Sequence, residues 1–180
     1  MALHLPRRRT VLKVLHWVSF FLILYFFLVE PEENKADPGG ALSTHAGVGL
    51  MLALVTLVWF VQFLRQGLAS RPGPKLPGPA RRIFVPLHKA LQYGVVVMVA
   101  SGALAGFLAP FAIRAFGAVQ INLGIGSKTL HELAQDLHEI LFDALIIVIV
   151  AHTLFHLWRH YWLRDNALRI ITPKALHKYL

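Results

Sequence analysis

Residues 138–152 read HEILFDALIIVIVAH, a run of helix length that is apolar apart from its two ends and Asp143. A histidine opens it and another closes it. Fourteen residues make just under four helical turns, so His138 and His152 project from one face, about 21 Å apart along the axis at about 1.5 Å per residue. That separation is most of the ~30 Å hydrocarbon thickness of a bilayer. Two histidines at opposite depths of one membrane helix predict two stacked sites, each needing a partner imidazole from another segment.

Composition agrees with a membrane protein. The chain has 180 residues, is 56% hydrophobic and 15% charged, and has a mean hydropathy of +0.57, too apolar for a soluble domain of this size. Cysteine is absent, which excludes a disulfide framework, cysteine-ligated iron–sulfur clusters and covalent haem attachment; any haem is held non-covalently. The formal charge of +9 does not indicate nucleic acid, because the basic residues flank apolar runs in short loops, where membrane orientation accounts for them. Nothing resembles a P-loop, a dinucleotide-binding glycine motif or a Ser/His/Asp constellation.

Taken outward from the central run, the pattern predicts an all-α integral membrane four-helix bundle, one domain over 1–180. The helices are expected at about 14–29, 44–64, 86–108 and 136–158, with a basic amphipathic tail over 160–180 lying along the interface on Trp158, Tyr161 and Trp162. Ser43 and Thr44 are expected to cap the second helix and Arg65 to stop it. Residues 65–82, RQGLASRPGPKLPGPARR, read as a surface connection. Residues 111–130 read as an irregular or interfacial excursion too weakly apolar to span. With the amino terminus in the cytoplasm, 15 of the 18 basic residues fall on the inner side and only Lys35, Arg114 and Lys128 fall outside. The positive-inside rule therefore puts both termini in the cytoplasm.

This topology sorts the ten histidines by depth. His16 near the inner start of the first helix can meet His152, and His45 at the outer start of the second can meet His138. Two depth-matched pairs are what a bundle needs to clamp two haem irons axially. Gly47 and Gly49 after His45, with Gly102 and Gly106 on the third helix, leave smooth patches for a flat macrocycle. His156, one turn after His152, is an alternative ligand. His88 is expected to contact a propionate or a quinone, or to be an interfacial histidine; Arg7–Arg9, Lys89 and Arg159 are secondary contacts of the same kind or ordinary anchors. His4, His131, His160 and His177 are placed in loops or the tail. Asp143 is the only acid well inside a span. It is turned about 140° from the histidine face and is expected to hydrogen-bond a neighbouring helix rather than relay protons. Zinc is disfavoured, because pairs about 21 Å apart cannot converge on one ion.

The segments LHW (15–17), THAGVG (44–49), PLHKALQYG (86–94), LHEILFDALIIVIVAH (137–152) and HYWLRDNALRIITP (160–173) together resemble the bacterial cytochrome b561 family, small four-helix dihaem cytochromes of the inner membrane. The resemblance covers nearly the whole chain, and its most specific part is the W-x-x-D-N-x-L tail. It implies two b-type haems, one held by His16 and His152 and one by His45 and His138, in a quinone-linked membrane oxidoreductase that exchanges electrons with ubiquinone or another quinone. In some members it implies superoxide oxidation at the periplasmic face. Against that, the first outer loop holds Glu30, Glu32, Glu33 and Asp37 with Lys35 alone, a charge balance unfavourable to an anion. The expected partners are the lipid bilayer, a quinone and an unidentified electron donor, with a homodimer compatible. The catalytic residues are not readable. Two other classes make different predictions: a proton or metal-ion transporter relaying through the histidines and Asp143 would be colourless, and a structural tetraspan subunit would tolerate loss of its histidines.

Overall fold

The computed structural model describes residues 8–29 and 40–179. Arg7, His4 and the acidic loop carrying Glu30, Glu32, Glu33, Lys35 and Asp37 lie outside the described residues. In chain order the elements are α1 (Arg8–Leu28), α2 (Ala41–Gln66), α3 (Gly78–Leu108), strands β1 (Arg114–Ala115) and β2 (Val119–Gln120), α4 (Lys128–Tyr161), α5 (Ala167–Ile171) and a 3-10 turn over Lys174–Tyr179. The first four helices are each long and apolar enough to cross a membrane. At 34 residues, α4 is about 51 Å long, so it outreaches a ~30 Å hydrocarbon layer.

Each helix starts earlier than its apolar run. α3 begins at Gly78 with Pro77 as its cap and Pro79 in the first turn, where a missing N–H costs nothing. Pro86, the expected start, lies inside the helix; the turn around it is held by Phe84, which is fully buried. α2 is capped by Gly40 rather than by Ser43 or Thr44. The Thr44 hydroxyl instead donates back to the Gly40 carbonyl at 3.3 Å, and Ser43 makes tertiary contacts. α2 runs one residue past Arg65 and ends on Gly67 at φ 71°, a conformation that favours glycine.

α3 and α4 pack closely along their lengths, α2 packs on α3, and α1 makes its extended approach to α2 alone. At mid-height Leu52, Met98 and Leu145 form the buried core, flanked by Leu22, Ile23, Phe26, Leu91, Val95, Val99, Phe142 and Ile149. Outward-facing Phe107 and Ile147 are 63% and 70% exposed, as the lipid side of a span requires.

The connection over 111–130 is more ordered than its sequence suggests. β1 and β2 pair antiparallel, Arg114 with Gln120 and Ala115 with Val119. Buried Asn122 ties the cap together: its Oδ1 accepts from Ile113 N at 2.8 Å and its Nδ2 donates to the Ala109 and Phe111 carbonyls, each at 3.1 Å. The tail is likewise tertiary rather than free on the interface. After α4 the chain turns through Arg164 and Asn166 at φ 49° and 58°, and the end of α5 is hydrogen-bonded to α1. Trp162 is 81% exposed and remains available as an interfacial anchor.

Candidate functional site

Both sites follow from helical periodicity. His138, Leu145 and His152 lie on one stripe of α4 at seven-residue spacing, and the bundle turns that stripe inward: Leu145 is 3% exposed. The stripe meets α2 at one end and the histidines of α3 at the other.

At the end away from the tail, the rings of His45 and His138 have centroids 6.4 Å apart. His138 is oriented from behind. Its Nδ1–H faces the Met98 carbonyl at 3.2 Å and the Ser101 hydroxyl oxygen at 3.0 Å, and Ser101 gives its own proton to the Met98 carbonyl at 2.8 Å. A ring whose Nδ1 carries the proton presents an Nε2 lone pair to a metal. Gly102 makes room for that ring, since a Cβ there would lie 2.7 Å from His138 Cε1. Gly49, one turn after His45 on the same face, has nothing within 4 Å of where its Cβ would stand.

At the tail end, His152 sits 4.9 Å from His88 and 4.5 Å from His156 between ring centroids. Ligating atoms of all three lie within 4.8 Å of one another. His16 packs against Trp17 and Trp59, at 5.9 and 6.2 Å, and its ring makes no contact with that of His152 among the described residues. His88 donates its Nδ1–H to the Phe84 carbonyl at 2.6 Å, so its Nε2 accepts from His156 Nε2–H at 3.2 Å. That bond joins His156 to His88, and His152 is the histidine of the cluster without a hydrogen bond among the described residues.

Phe84 is the floor of this layer. The His88 ring lies 4.1 Å from it on a shallow tilt and the Arg159 guanidinium 5.4 Å from its centroid. Arg159 is not a surface anchor: it is 1% exposed and both its Nε and Nη2 bond Asp165 Oδ2 at 2.7 Å. Its Nη1 is buried with no hydrogen-bond partner among the described residues. Lys89 is exposed and makes no hydrogen bond among the described residues.

Three remaining expectations are corrected. His131 is in α4, donating Nδ1–H to the Ala105 carbonyl at 2.9 Å, and His160 is buried in the last turn of that helix; neither is in a loop or free tail. Asp143 is exposed and has no hydrogen-bonding or ionic partner among the described residues, because its 140° offset turns it outward, away from every neighbouring helix. The sequence also hid the roles of Ser101 and Asp165. A serine beside a glycine in an apolar helix was the only signal for the first, and the charged D-N step of the tail motif the only signal for the second.

The donor set fits an imidazole-ligated planar group. The Nδ1 atoms of His16, His45 and His152 are buried without hydrogen-bond partners among the described residues, so no protein bond competes for these three rings. The His45 and His138 ring centres, 6.4 Å apart, would leave room for a metal ion held by one imidazole from each side. The three-imidazole cluster alone would suit a transported metal ion, but the Leu52–Met98–Leu145 layer closes the interior beyond it. The sequence profile of the family described as prokaryotic cytochrome b561 matches residues 7–174. Comparison with individually curated proteins gives no significant match. Since that profile spans nearly the whole chain, the protein belongs to the prokaryotic cytochrome b561 family and is a multi-pass membrane electron-transfer protein carrying haem b.

Proposed function

We propose that the chain binds two b-type haems, one between His16 and His152 at the tail end and one between His45 and His138 at the other, and carries electrons across the bilayer to a quinone. The observation that carries this reading is the His45–His138 pair: 6.4 Å between ring centres, with the His138 Nδ1–H committed to Met98 and Ser101. Haem b supplies a reversible one-electron couple at each level. The chain does the rest. Ser101 and the Met98 carbonyl fix the His138 ring, Gly102 and Gly49 leave space, and Leu52, Met98 and Leu145 exclude water between the levels.

Quinone reduction takes up two electrons and two protons, and the hydrogen-bonded His88–His156 pair at the tail end supports placing it there. The pair, once it has taken up a proton from water, holds it between the two rings and passes it to a reduced quinone oxygen, returning to the neutral hydrogen-bonded state. The positive-inside distribution of Arg and Lys supports a cytoplasmic tail end in a bacterial inner membrane, with the donor at the opposite face. Superoxide is the less favoured donor. Glu132, Asp136, Glu139 and Asp143 form an exposed ladder on α4 near that face, and its field opposes an anion.

The test is a reduced-minus-oxidised visible spectrum of the purified protein with a pyridine-haemochrome assay of haem per chain. Two low-spin b-type haems, one lost in each of His16→Ala or His152→Ala and the other in each of His45→Ala or His138→Ala, are expected. A colourless protein after expression with ample haem would refute the reading and favour the ion-relay class.

A further inference from the structure

Each proposed histidine pair has one member on α4, which packs closely on α3, and one on α1 or α2, neither of which makes an extended approach to α4. The structure provides a separate strap for each of those two segments. At the tail end, Lys13 Nζ donates to the Thr172 carbonyl at 2.7 Å and Trp17 Nε1 donates to the Ile171 carbonyl at 3.0 Å. These two residues flank His16. The strap continues to α4: Asp165 Oδ1 accepts from Ala167 N at 2.9 Å at the start of α5, while Asp165 Oδ2 binds Arg159. An unbroken line of bonds therefore joins the His16 turn of α1 to the segment seven residues beyond His152, across helices that make no extended approach to each other.

The other end repeats the design with different parts. The Ser43 hydroxyl donates to the Arg114 carbonyl at 2.6 Å and accepts from Gly117 N at 2.8 Å, and the Ser43 carbonyl accepts from Phe116 N at 3.0 Å. The Phe116 ring rests directly on Gly47, so that a Cβ there would meet it at 2.5 Å. Ser43 and Gly47 bracket His45. From this hairpin Asn122 bonds to the end of α3, and Gly126 N to the Ala109 carbonyl at 3.3 Å leads into α4 and His138.

We infer that Lys13, Trp17 and Asp165 are positioning residues for the His16–His152 haem alone, and Ser43 with Phe116 for the His45–His138 haem alone, so that each strap sets the width of one haem cleft independently of the other. The inference rests on the two-haem reading. The independence follows from the layout: the straps share no residue, lie at opposite ends of the bundle, and are separated by the close-packed Leu52–Met98–Leu145 layer.

The experiment uses single-haem backgrounds of the full chain in detergent: His138→Ala retains the tail-end site and His152→Ala the opposite one. Haem transfer to excess apomyoglobin and the midpoint potential are measured for each. Lys13→Met with Trp17→Phe removes one charged and one neutral donor, and is expected to accelerate transfer about tenfold or more from the tail-end site, to shift its potential, and to leave the other site unchanged. Ser43→Ala is expected to do the reverse. Phe116→Ala and Trp17→Phe alone serve as milder variants of each strap if the first choices fold poorly, which thermal melts of the haem-free chains report. Equal acceleration at both sites, or none at either, would overturn the inference while the two-haem reading stood. A wild-type chain with fewer than two haems would overturn both.

Discussion

Gly102→Ala separates the helix from the site it serves. A methyl group at 102 would stand 2.7 Å from His138 Cε1 and 3.2 Å from both Nδ1 and Nε2, that is, over the ring. Carbon atoms pack at about 3.5–4.0 Å, so the imidazole has to withdraw by about 1 Å. The Ser101 contact at 3.0 Å and the Met98 contact at 3.2 Å do not survive that displacement, and Nε2 swings off the line to His45. Overpacking of this kind costs about 1–3 kcal/mol, or about 5- to 150-fold in haem affinity at 1.4 kcal/mol per decade. Alanine is a better helix former than glycine by about 1 kcal/mol, which offsets part of that cost in the fold itself. The expected result is a haem-free chain whose melting temperature is unchanged or lower and a depleted haem at the His45–His138 level, read by pyridine haemochrome in the His152→Ala background. Full occupancy with an unshifted potential in Gly102→Ala would refute the placement of His138 as a ligand facing away from α3.

Other substitutions test the remaining parts. Ser101→Ala removes one of two acceptors for the His138 Nδ1–H; about a tenfold loss of haem affinity at that level is expected, with a rise in its midpoint potential because the ligand becomes a poorer donor. Asp165→Asn leaves the Arg159 charge buried without a counter-ion and should destabilise the fold by about 3–5 kcal/mol, measured by denaturation in mixed micelles, whereas the paired change Arg159→Met with Asp165→Leu should recover much of that. Asp143→Asn, on the outward face of α4, should leave haem content and both potentials as they are; a shift in either potential would place the carboxylate in the electron path.

Much of this arrangement is legible in the chain because its decisive signals are local. Three of the four apolar runs reach the length a bilayer requires and the first, 14–29, falls just short of it, while the seven-residue spacing of His138, Leu145 and His152 survives any uncertainty in helix ends. What escaped is tertiary. Nothing near Pro86 in sequence announces that its turn continues as helix, since the compensation is the burial of Phe84 against His88 and Arg159. Ser43 has the form of an N-cap, but its hydroxyl is taken by the hairpin at Arg114 and Gly117, more than seventy residues away. His156 shares a face with His152 and reads as an alternative to it; its hydrogen bond to His88 on α3 is a tertiary feature that no local pattern announces. Asp143 follows the same logic in reverse, its helical angle being readable but not the absence of a neighbour at that angle.

Leu145 lies seven residues from each α4 histidine, at the midpoint of the proposed electron path. Gly94 on α3 brings the helices close enough that a Cβ there would stand 3.2 Å from Leu145 Cδ1, and Leu52 and Met98 complete the layer at 1% and 4% exposure. A hydrated proton has no chain of polar groups to follow through these residues, because a layer without donors or acceptors cannot replace its solvation. An electron needs none. With haems at the two proposed levels, the interior would pass one kind of charge and stop the other, separating electron transfer across the bundle from proton exchange at its end. The polar groups are distributed accordingly: the His88–His156 pair, the only pair of histidines hydrogen-bonded to each other among the described residues, stands beside one proposed haem and not between the two. On the proposed reading, protons for a quinone there would come from the adjacent aqueous side, so electron transfer from the opposite face would move net charge across the membrane with each turnover.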